Sequence, residues 1–308
     1  MKKKISIIGS GNVGATTALF ITLSGIADAV LFDIAEGVPQ GKALDLAEAC
    51  PLCNSSSTIK GTNDYSDTEG SEIIIITAGF PRKPGMSRND LLHSNADVIR
   101  EASIAIAKTS PDAIVIVVTN PMDVMAQLTW KTTGFSCKRV MGMGGLLDTS
   151  RLTAFLAWEL NVSPEDVEAI VLGGHGDEMV PLSRFITVKG IPVTELLSSK
   201  RIDSLIERTR KGGAEIIALL KSGSAYYAPA AATFKMVKSI LLDEKRLLPC
   251  AAYLNGEYGI KDIYLGVPAI LGKEGVEKII EIKLSKEEKA QFRKSYASVR
   301  NLIKKLSI

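Results

Sequence analysis

Only two histidines occur among the 308 residues, and one of them, His175, stands in Gly173-Gly174-His175-Gly176-Asp177. Glycine neighbours just past a strand-like run (Glu168 to Leu172) leave its ring unobstructed. An imidazole titrates near neutrality, so it can give a proton to a carbonyl and take one back from an alcohol. That work needs a carboxylate to fix the tautomer and stabilise the imidazolium. Asp148, in Leu146-Leu147-Asp148-Thr149-Ser150-Arg151, is one candidate and Asp177 is the other. Spacing does not separate them. His93 falls on a helix face and reads as structural.

A second group is cationic. The stretch from Ala78 to Leu91, AGFPRKPGMSRNDL, places Arg82, Lys83 and Arg88 among Pro81, Pro84 and Gly85. It follows the uncharged run Ile73-Ile74-Ile75-Ile76, which reads as a buried parallel strand ended by the Pro and Gly after it. Cations at the carboxyl end of such a strand lie where open α/β sheets bind ligands. Proline stiffens the segment and glycine permits a bend, as suits a loop that swings as a unit.

The third group binds rather than reacts. A short apolar strand, Ile5 to Ile8, runs into Gly9-Ser-Gly11-Asn12-Val13-Gly14, and Ala15 to Leu23 reads as helix. Glycines in this strand–turn–helix context make a tight turn, let a pyrophosphate approach the backbone and pack helix on strand. The helix amino end supplies N–H groups and a positive dipole. A second strand, Ala29 to Asp33, ends on an acid placed to accept from ribose hydroxyls, with no arginine directly after it for a 2′-phosphate. NAD is therefore expected rather than NADP.

The elements that must hold these groups alternate. Helix over Val38 to Ala49, strand at Ile59, the isoleucine strand, helix over Ser87 to Thr109, strand from Ile114 to Val118, helix from about Pro121 and a sixth strand from Arg139 follow in turn. Such alternation gives a doubly wound parallel sheet of the Rossmann kind, an α/β fold assigned to residues 1–143. Residues 144–308 read as an α+β substrate-binding and catalytic domain. It comprises a helix from Asp148 to Leu160 with Phe155 and Trp158 on its apolar side, and a small ribbon over Ser183 to Val193. A long helical region from Ile202 to about Leu242, interrupted at Gly212-Gly213 and by the small residues Ser222 to Ala232, leads to an antiparallel meander turning at Asn255-Gly256. Ser285 to Glu288 is a capping box for a last helix with Phe292, Tyr296, Val299, Ile303 and Leu306 as its stripe.

Composition narrows the partners. With 46% apolar residues the chain can bury a large core. A net charge of +3, from 37 basic against 34 acidic side chains, is too even to argue for nucleic acid. The opening MKKKISIIGSGNVG imitates the start of an export signal, but Gly9 interrupts its apolar part, and no run is long enough to span a membrane. Four cysteines do not make a disulfide framework, and Cys50-Pro-Leu-Cys53 lacks a second pair, so a cytoplasmic protein without a bound metal is expected.

In combination, GSGNVG, Asp33, AGFPRKPGMSRNDL, VTNPMDV, GGLLDTSR and GGHGD occur in the order seen in 2-hydroxy-acid dehydrogenases. Across essentially its whole length the chain resembles the lactate/malate dehydrogenase family, and within it the malate dehydrogenases whose sequences are similar to lactate dehydrogenases. The resemblance implies reversible hydride transfer between malate and NAD, giving oxaloacetate, a step of the tricarboxylic acid cycle. It implies His175 as acid/base with Asp148 as its partner, Arg151 as the clamp on the substrate's C1 carboxylate, and Arg88 as the cation polarising the C2 carbonyl. Asn120 would bond near the substrate oxygen and the nicotinamide. Gly9, Gly11, Asn12, Val13, Gly14, Asp33, Asn95 and Val118 would line the cofactor. Arg82 stands where lactate enzymes carry an uncharged Gln, and Ala225 where they usually carry Thr. Charge counting agrees: oxaloacetate is a dianion, and each carboxylate entering a water-poor site needs a cation. The family also implies a homo-oligomer, a tetramer or a dimer.

Overall fold

The computed structural model describes residues 2–80 and 88–308, and for residues 88 and 89 the backbone alone. Six parallel strands come first: β1 (Lys3–Ile8), β2 (Ala27–Phe32), β3 (Ile59–Thr62), β4 (Ile73–Ile76), β5 (Ile114–Val117) and β6 (Val140–Gly142). Helices α1 (Asn12–Leu23), α2 (Val38–Leu52), α3 (Arg88–Thr109) and α4 (Met122–Thr133) cross between them. Their spatial order, β6-β5-β4-β1-β2-β3, reverses between β1 and β4. That reversal opens a crevice at the carboxyl ends of these two strands, where a doubly wound sheet takes its ligand. Ile73, Ile74, Ile75 and Ile76 are wholly buried, because helices cover both faces and a strand there needs apolar residues at every position.

The second half adds α5 (Gly144–Leu160), the short strands β7 (Val167–Glu168), β8 (Val171–Leu172), β9 (Val180–Pro181), β10 (Thr187–Val188) and β11 (Ile191–Pro192), then α6 (Ser199–Leu220) and α7 (Tyr227–Leu241). A meander of β12 (Arg246–Asn255), β13 (Lys261–Gly272) and β14 (Gly275–Ile279) precedes α8 (Lys286–Lys305). The meander is not a separate layer. β12 pairs antiparallel with β6 at Ala251 and Gly142, so one nine-stranded sheet runs through both halves.

Two apolar cores result. The larger surrounds the sheet; the smaller joins Leu152 and Leu156 of α5 to Val167, Ile186, Ile202 and Leu205. Helix α5 belongs to both, through Leu146 and Leu147 at its start and Leu152 and Leu156 further on. Each such buried side chain contributes roughly 1.5–3 kcal/mol. Asp148 and Arg151 lie on the length of helix pinned between the two.

Several local expectations are corrected. Of the two interruptions expected in the long helical region, the one among the small residues from Ser222 is present, between α6 and α7, but the one at Gly212-Gly213 is not: α6 runs through the glycine pair, held by its buried stripe Ile202, Leu205, Ile206 and Thr209. Glu168 to Leu172 is split between two sheets as β7 and β8, and Ser183–Phe185 is a 3-10 turn before the β10–β11 ribbon. The meander does turn at Asn255-Gly256, through a longer loop in which Asn255 pairs with Lys261 and the Gly256 N–H donates to Ile260 O at 2.8 Å. Trp158 is 66% exposed, packed beside Phe155 with ring centroids 5.6 Å apart. Pro121 caps α4 from outside its first turn. In α8 the buried line is Phe292, Ser295, Val299 and Ile303, so a serine takes the place expected of Tyr296. Among the described residues no helix is long and apolar enough to cross a membrane.

Candidate active site

The loop after β1 shows three different uses of glycine. Gly9 has φ +108°, and a Cβ there would stand 2.5 Å from Ala78 N. Gly14 lies so close under the turn that its Cβ would meet Gly9 O, which lets α1 pack onto the strand end. A Cβ on Gly11 would meet nothing within 4 Å, so the space above it is open. Helix α1 starts there without a side-chain cap and without an acid in its first turn. An open cradle at a helix amino end, with N–H groups of Asn12 and Val13 in the first turn, fits a dinucleotide pyrophosphate.

Asp33 directly follows the neighbouring strand, β2. Its Oδ2 accepts from Ser10 N at 2.7 Å and Ser10 Oγ at 2.8 Å, and Oδ1 accepts from Ala35 N at 3.0 Å. Burial opposes its charge, but the hydrogen bonds from Ala35 and Ser10 outweigh it and hold the carboxyl below its ordinary range. Lys42 of α2 donates to Ser10 O at 2.6 Å. Ser10 and Lys42 were not foreseen; a residue written x in a glycine motif and a lysine inside a helix carry no separate signal.

The carboxyl ends of β1, β4 and β5 are knitted together. Thr77 Oγ1 donates to Gly9 O at 2.9 Å, and Thr119 Oγ1 to Ala78 O at 2.7 Å. Asn95 is buried, accepts from Phe80 N at 2.7 Å and donates to Asn120 O at 2.7 Å. Its amide thus fixes where Asn120, exposed past the end of β5, stands, while half-buried Val118 is held by its N–H donating to Ile76 O at 2.9 Å. Arg82 and the Arg88 side chain lie outside the described residues.

The candidate acid/base and its neighbours meet in the second half. Asp148, 1% exposed, bonds His175 Nδ1 through Oδ2 at 2.9 Å. Asp148 is therefore the carboxylate that orients the ring, and Asp177 does not take that place. An ionised carboxylate only accepts, so Nδ1 carries the proton and Nε2 is left to exchange one. Burial disfavours the charged ring, but the charge and hydrogen bond of Asp148, with the charge of Asp123, prevail over burial and over Arg151 and raise the His175 pKa above its ordinary value.

Arg151 lies one turn beyond Asp148 on α5, with Nη1 3.6 Å from Asp148 Oδ1. It is largely buried, and burial, only partly offset by Asp148, pulls its pKa down. Its Nε finds no hydrogen-bond partner among the described residues. A buried guanidinium with donor capacity to spare is a receptor for a carboxylate. Room for it comes from α6: a Cβ on Gly212 would stand 3.2 Å from Arg151 Cδ. Gly144 likewise makes room for the histidine, since its Cβ would lie 2.6 Å from His175 Cβ.

The glycines before His175 serve packing as well as freedom. Cβ atoms on Gly173 and Gly174 would strike Ser295 and Val299 of α8. The turn is also tied by Asp123, the second residue of α4, which accepts from the His175 main chain at 2.8 Å. Asp123 lies in VTNPMDV and reads there as an ordinary acid in a first helical turn. Among the described residues no group of three or more His, Cys, Asp or Glu could hold a metal ion.

Sequence profiles described as the lactate/malate dehydrogenase NAD binding domain and the lactate/malate dehydrogenase alpha/beta C-terminal domain match residues 3–142 and 146–307. The chain belongs to the lactate/malate dehydrogenase family. Its first half is that family's NAD-binding Rossmann domain, and the protein is an NAD-dependent oxidoreductase. It is 56% identical over 303 residues to a malate dehydrogenase of Roseiflexus castenholzii, covering 98% of each chain. The crystal structure of malate dehydrogenase from Cryptosporidium parvum superimposes with a TM-score of 0.98 at 44% identity, over 100% of this chain and 99% of that one. A lactate dehydrogenase from the same organism, crystallised with lactic acid and nicotinamide adenine dinucleotide, gives 0.97 at 42% identity, over 100% and 98%.

Proposed function

We propose that this protein interconverts (S)-malate and oxaloacetate with NAD, using His175 as acid/base, Asp148 as its orienting partner and Arg151 as the carboxylate clamp. The observation that carries the reading is the buried Arg151, with its unpartnered Nε, beside the His175–Asp148 pair. The 56% identity to a malate dehydrogenase over nearly the whole length supports the choice of acid.

When bound, the nicotinamide accepts or returns the hydride. Gly9, Gly11, Asn12, Val13 and Gly14 would hold the cofactor's pyrophosphate, Asp33 its ribose, and Asn95, Val118 and Asn120 the wall near its ring. Arg151 would hold the C1 carboxylate and so fix the C2 atom opposite His175. In malate oxidation His175 Nε2 takes the hydroxyl proton, and the ionised Asp148 stabilises the imidazolium that forms. In oxaloacetate reduction the same ring donates. Arg88 would polarise the C2 oxygen and Arg82 would meet the second carboxylate.

A lactate-type specificity is the second reading, because a lactate dehydrogenase superimposes nearly as well. The fold does not separate the two acids; the charge at position 82 does. Initial rates of NADH oxidation with oxaloacetate and with pyruvate, each with and without a chelator, test the reading. A clear preference for oxaloacetate that survives chelation supports it, and a preference for pyruvate overturns it.

The same reading divides the chain at 143/144, into an NAD-binding domain of residues 1–143 and a substrate-binding domain of residues 144–308. It makes the protein a cytoplasmic enzyme of the tricarboxylic acid cycle; the buried free thiols Cys50 and Cys250 accord with a reducing compartment. It also makes it a homotetramer or dimer. The exposed Leu44 of α2 and the Ala-rich run Ala228 to Ala232 of α7 are candidate positions for a contact between subunits.

A further inference from the structure

Three successive amides of the catalytic turn leave in three directions. Gly173 N donates to Gly266 O of β13, Gly174 N to Ser295 Oγ of α8 and His175 N to Asp123 Oδ2 of α4, each at 2.8 Å. Two of these partners are main chain or hydroxyl and carry no charge. The third is a carboxylate only 4% exposed, whose Oδ1 has no hydrogen-bond partner among the described residues. A lone amide needs only a neutral acceptor, so a buried negative charge is more than anchoring requires.

We propose that Asp123 is a positioning residue for His175, fixing the height of its turn through the main-chain bond and setting, by its charge, the pH range over which the imidazolium persists. The proposal rests on the reading of His175 as the acid/base. The ring then lies between two carboxylates that act differently. Asp148 holds Nδ1 and the tautomer, whereas Asp123 touches no ring atom and acts on the charge from behind the backbone. Among the described residues, the charged groups bearing on this pair are His175 itself, Asp148 and Arg151 of α5; α8 contributes the neutral Ser295. Burial pushes the Asp123 carboxyl up to about 6, against the His175 N–H and the charge of its ring. Above that pH the ionised group favours a protonated ring, and below it the support is withdrawn.

With two histidines in the chain, a His93→Asn background leaves His175 as the sole imidazole, and its ring signals can be titrated by NMR in the intact protein. Asp123→Asn keeps an acceptor for the His175 amide and removes the charge. His175 should then titrate at lower pH, and the alkaline limb of oxaloacetate reduction should fall by the same interval, about tenfold in rate per pH unit on that limb. At low pH the Asn variant should retain kcat within about threefold, while Asp123→Ala, lacking the acceptor, should lose about tenfold or more at every pH. An unchanged His175 titration in Asp123→Asn, or equal low-pH rates for Asn and Ala, overturns the proposal. Should neither variant fold, the parent's own titration decides: a second inflection near pH 6 is expected, and a single smooth transition overturns it. Failure of the acid/base reading would show separately, as a His175→Asn enzyme that keeps its kcat.

Discussion

Replacing Gly144 by alanine adds one methyl group where α5 begins, at a point 2.6 Å from His175 Cβ and 2.3 Å from Met122 Cε. Carbon atoms settle at about 3.5–4.0 Å, so the His175 contact must open by roughly 1 Å. The terminal methyl of Met122 can swing aside. His175 Cβ is one bond from a main chain held by three hydrogen bonds, so either that turn or the first turns of α5, which carry Asp148, must yield. Overpacking of this kind costs about 1–3 kcal/mol of stability. A displacement of about 1 Å between reacting groups costs on the order of a hundredfold, or about 2.7 kcal/mol of transition-state stabilisation. The assay is kcat/KM for NADH-dependent oxaloacetate reduction, accompanied by NADH affinity from nicotinamide fluorescence and by thermal unfolding. Activity should fall about a hundredfold while NADH affinity stays within about twofold, since the glycine turn after β1 is untouched.

Two other glycines calibrate the reasoning. A Cβ on Gly212 would press Arg151 Cδ at 3.2 Å, so Gly212→Ala should raise the KM for oxaloacetate. A Cβ on Gly213 meets the guanidinium at 3.8–3.9 Å, an ordinary contact. Gly213→Ala should therefore keep parental activity and gain about 0.5–1 kcal/mol from helix propensity. A Gly144→Ala enzyme within about threefold of parental kcat/KM, or a Gly213→Ala enzyme equally impaired, would refute the steric argument.

Further outcomes are expected. The His175 pKa is raised, so oxaloacetate reduction should be full below that pKa and lost as pH rises through it; Asp148→Asn, with burial left unopposed by that charge, should move the loss to lower pH in a pH–rate profile. Asp33→Ala leaves Ser10 N and Oγ without their acceptor, and isothermal titration should show weaker NADH binding with little change in the KM for oxaloacetate. Arg82→Gln removes the proposed partner of the second carboxylate; such a loss typically costs roughly 3–5 kcal/mol, so the oxaloacetate/pyruvate ratio of kcat/KM should drop by a few hundredfold or more. A ratio that stayed at the parental value would remove Arg82 from that role.

Much of the architecture was legible because its signals are local. The isoleucine strand, the three glycines and the alternation of helix and strand each follow from side-chain size and period within a few residues. Trp158 misled because helical spacing names a face without saying whether anything covers it. Gly212-Gly213 misled because a glycine pair was read as a break, although its use was to admit an arginine from another helix. Ser295 was hidden in an amphipathic helix, a small polar residue on an otherwise apolar line.

The sequence by itself determined which groups exist for chemistry: one histidine amid glycines, an aspartate and an arginine three residues apart, a cationic stretch and a glycine-rich turn between strand and helix. Those are matters of residue type and short spacing, and covalent geometry alone puts Asp148 and Arg151 on one helix face. Only the tertiary structure decided that Asp148 rather than Asp177 orients His175, and that Asp123 and Ser295 tie the same turn from helices 52 and 121 positions away. Such contacts are made by packing a sheet against helices from the middle and the end of the chain. No period within a sequence encodes which distant side chain arrives beside a given imidazole.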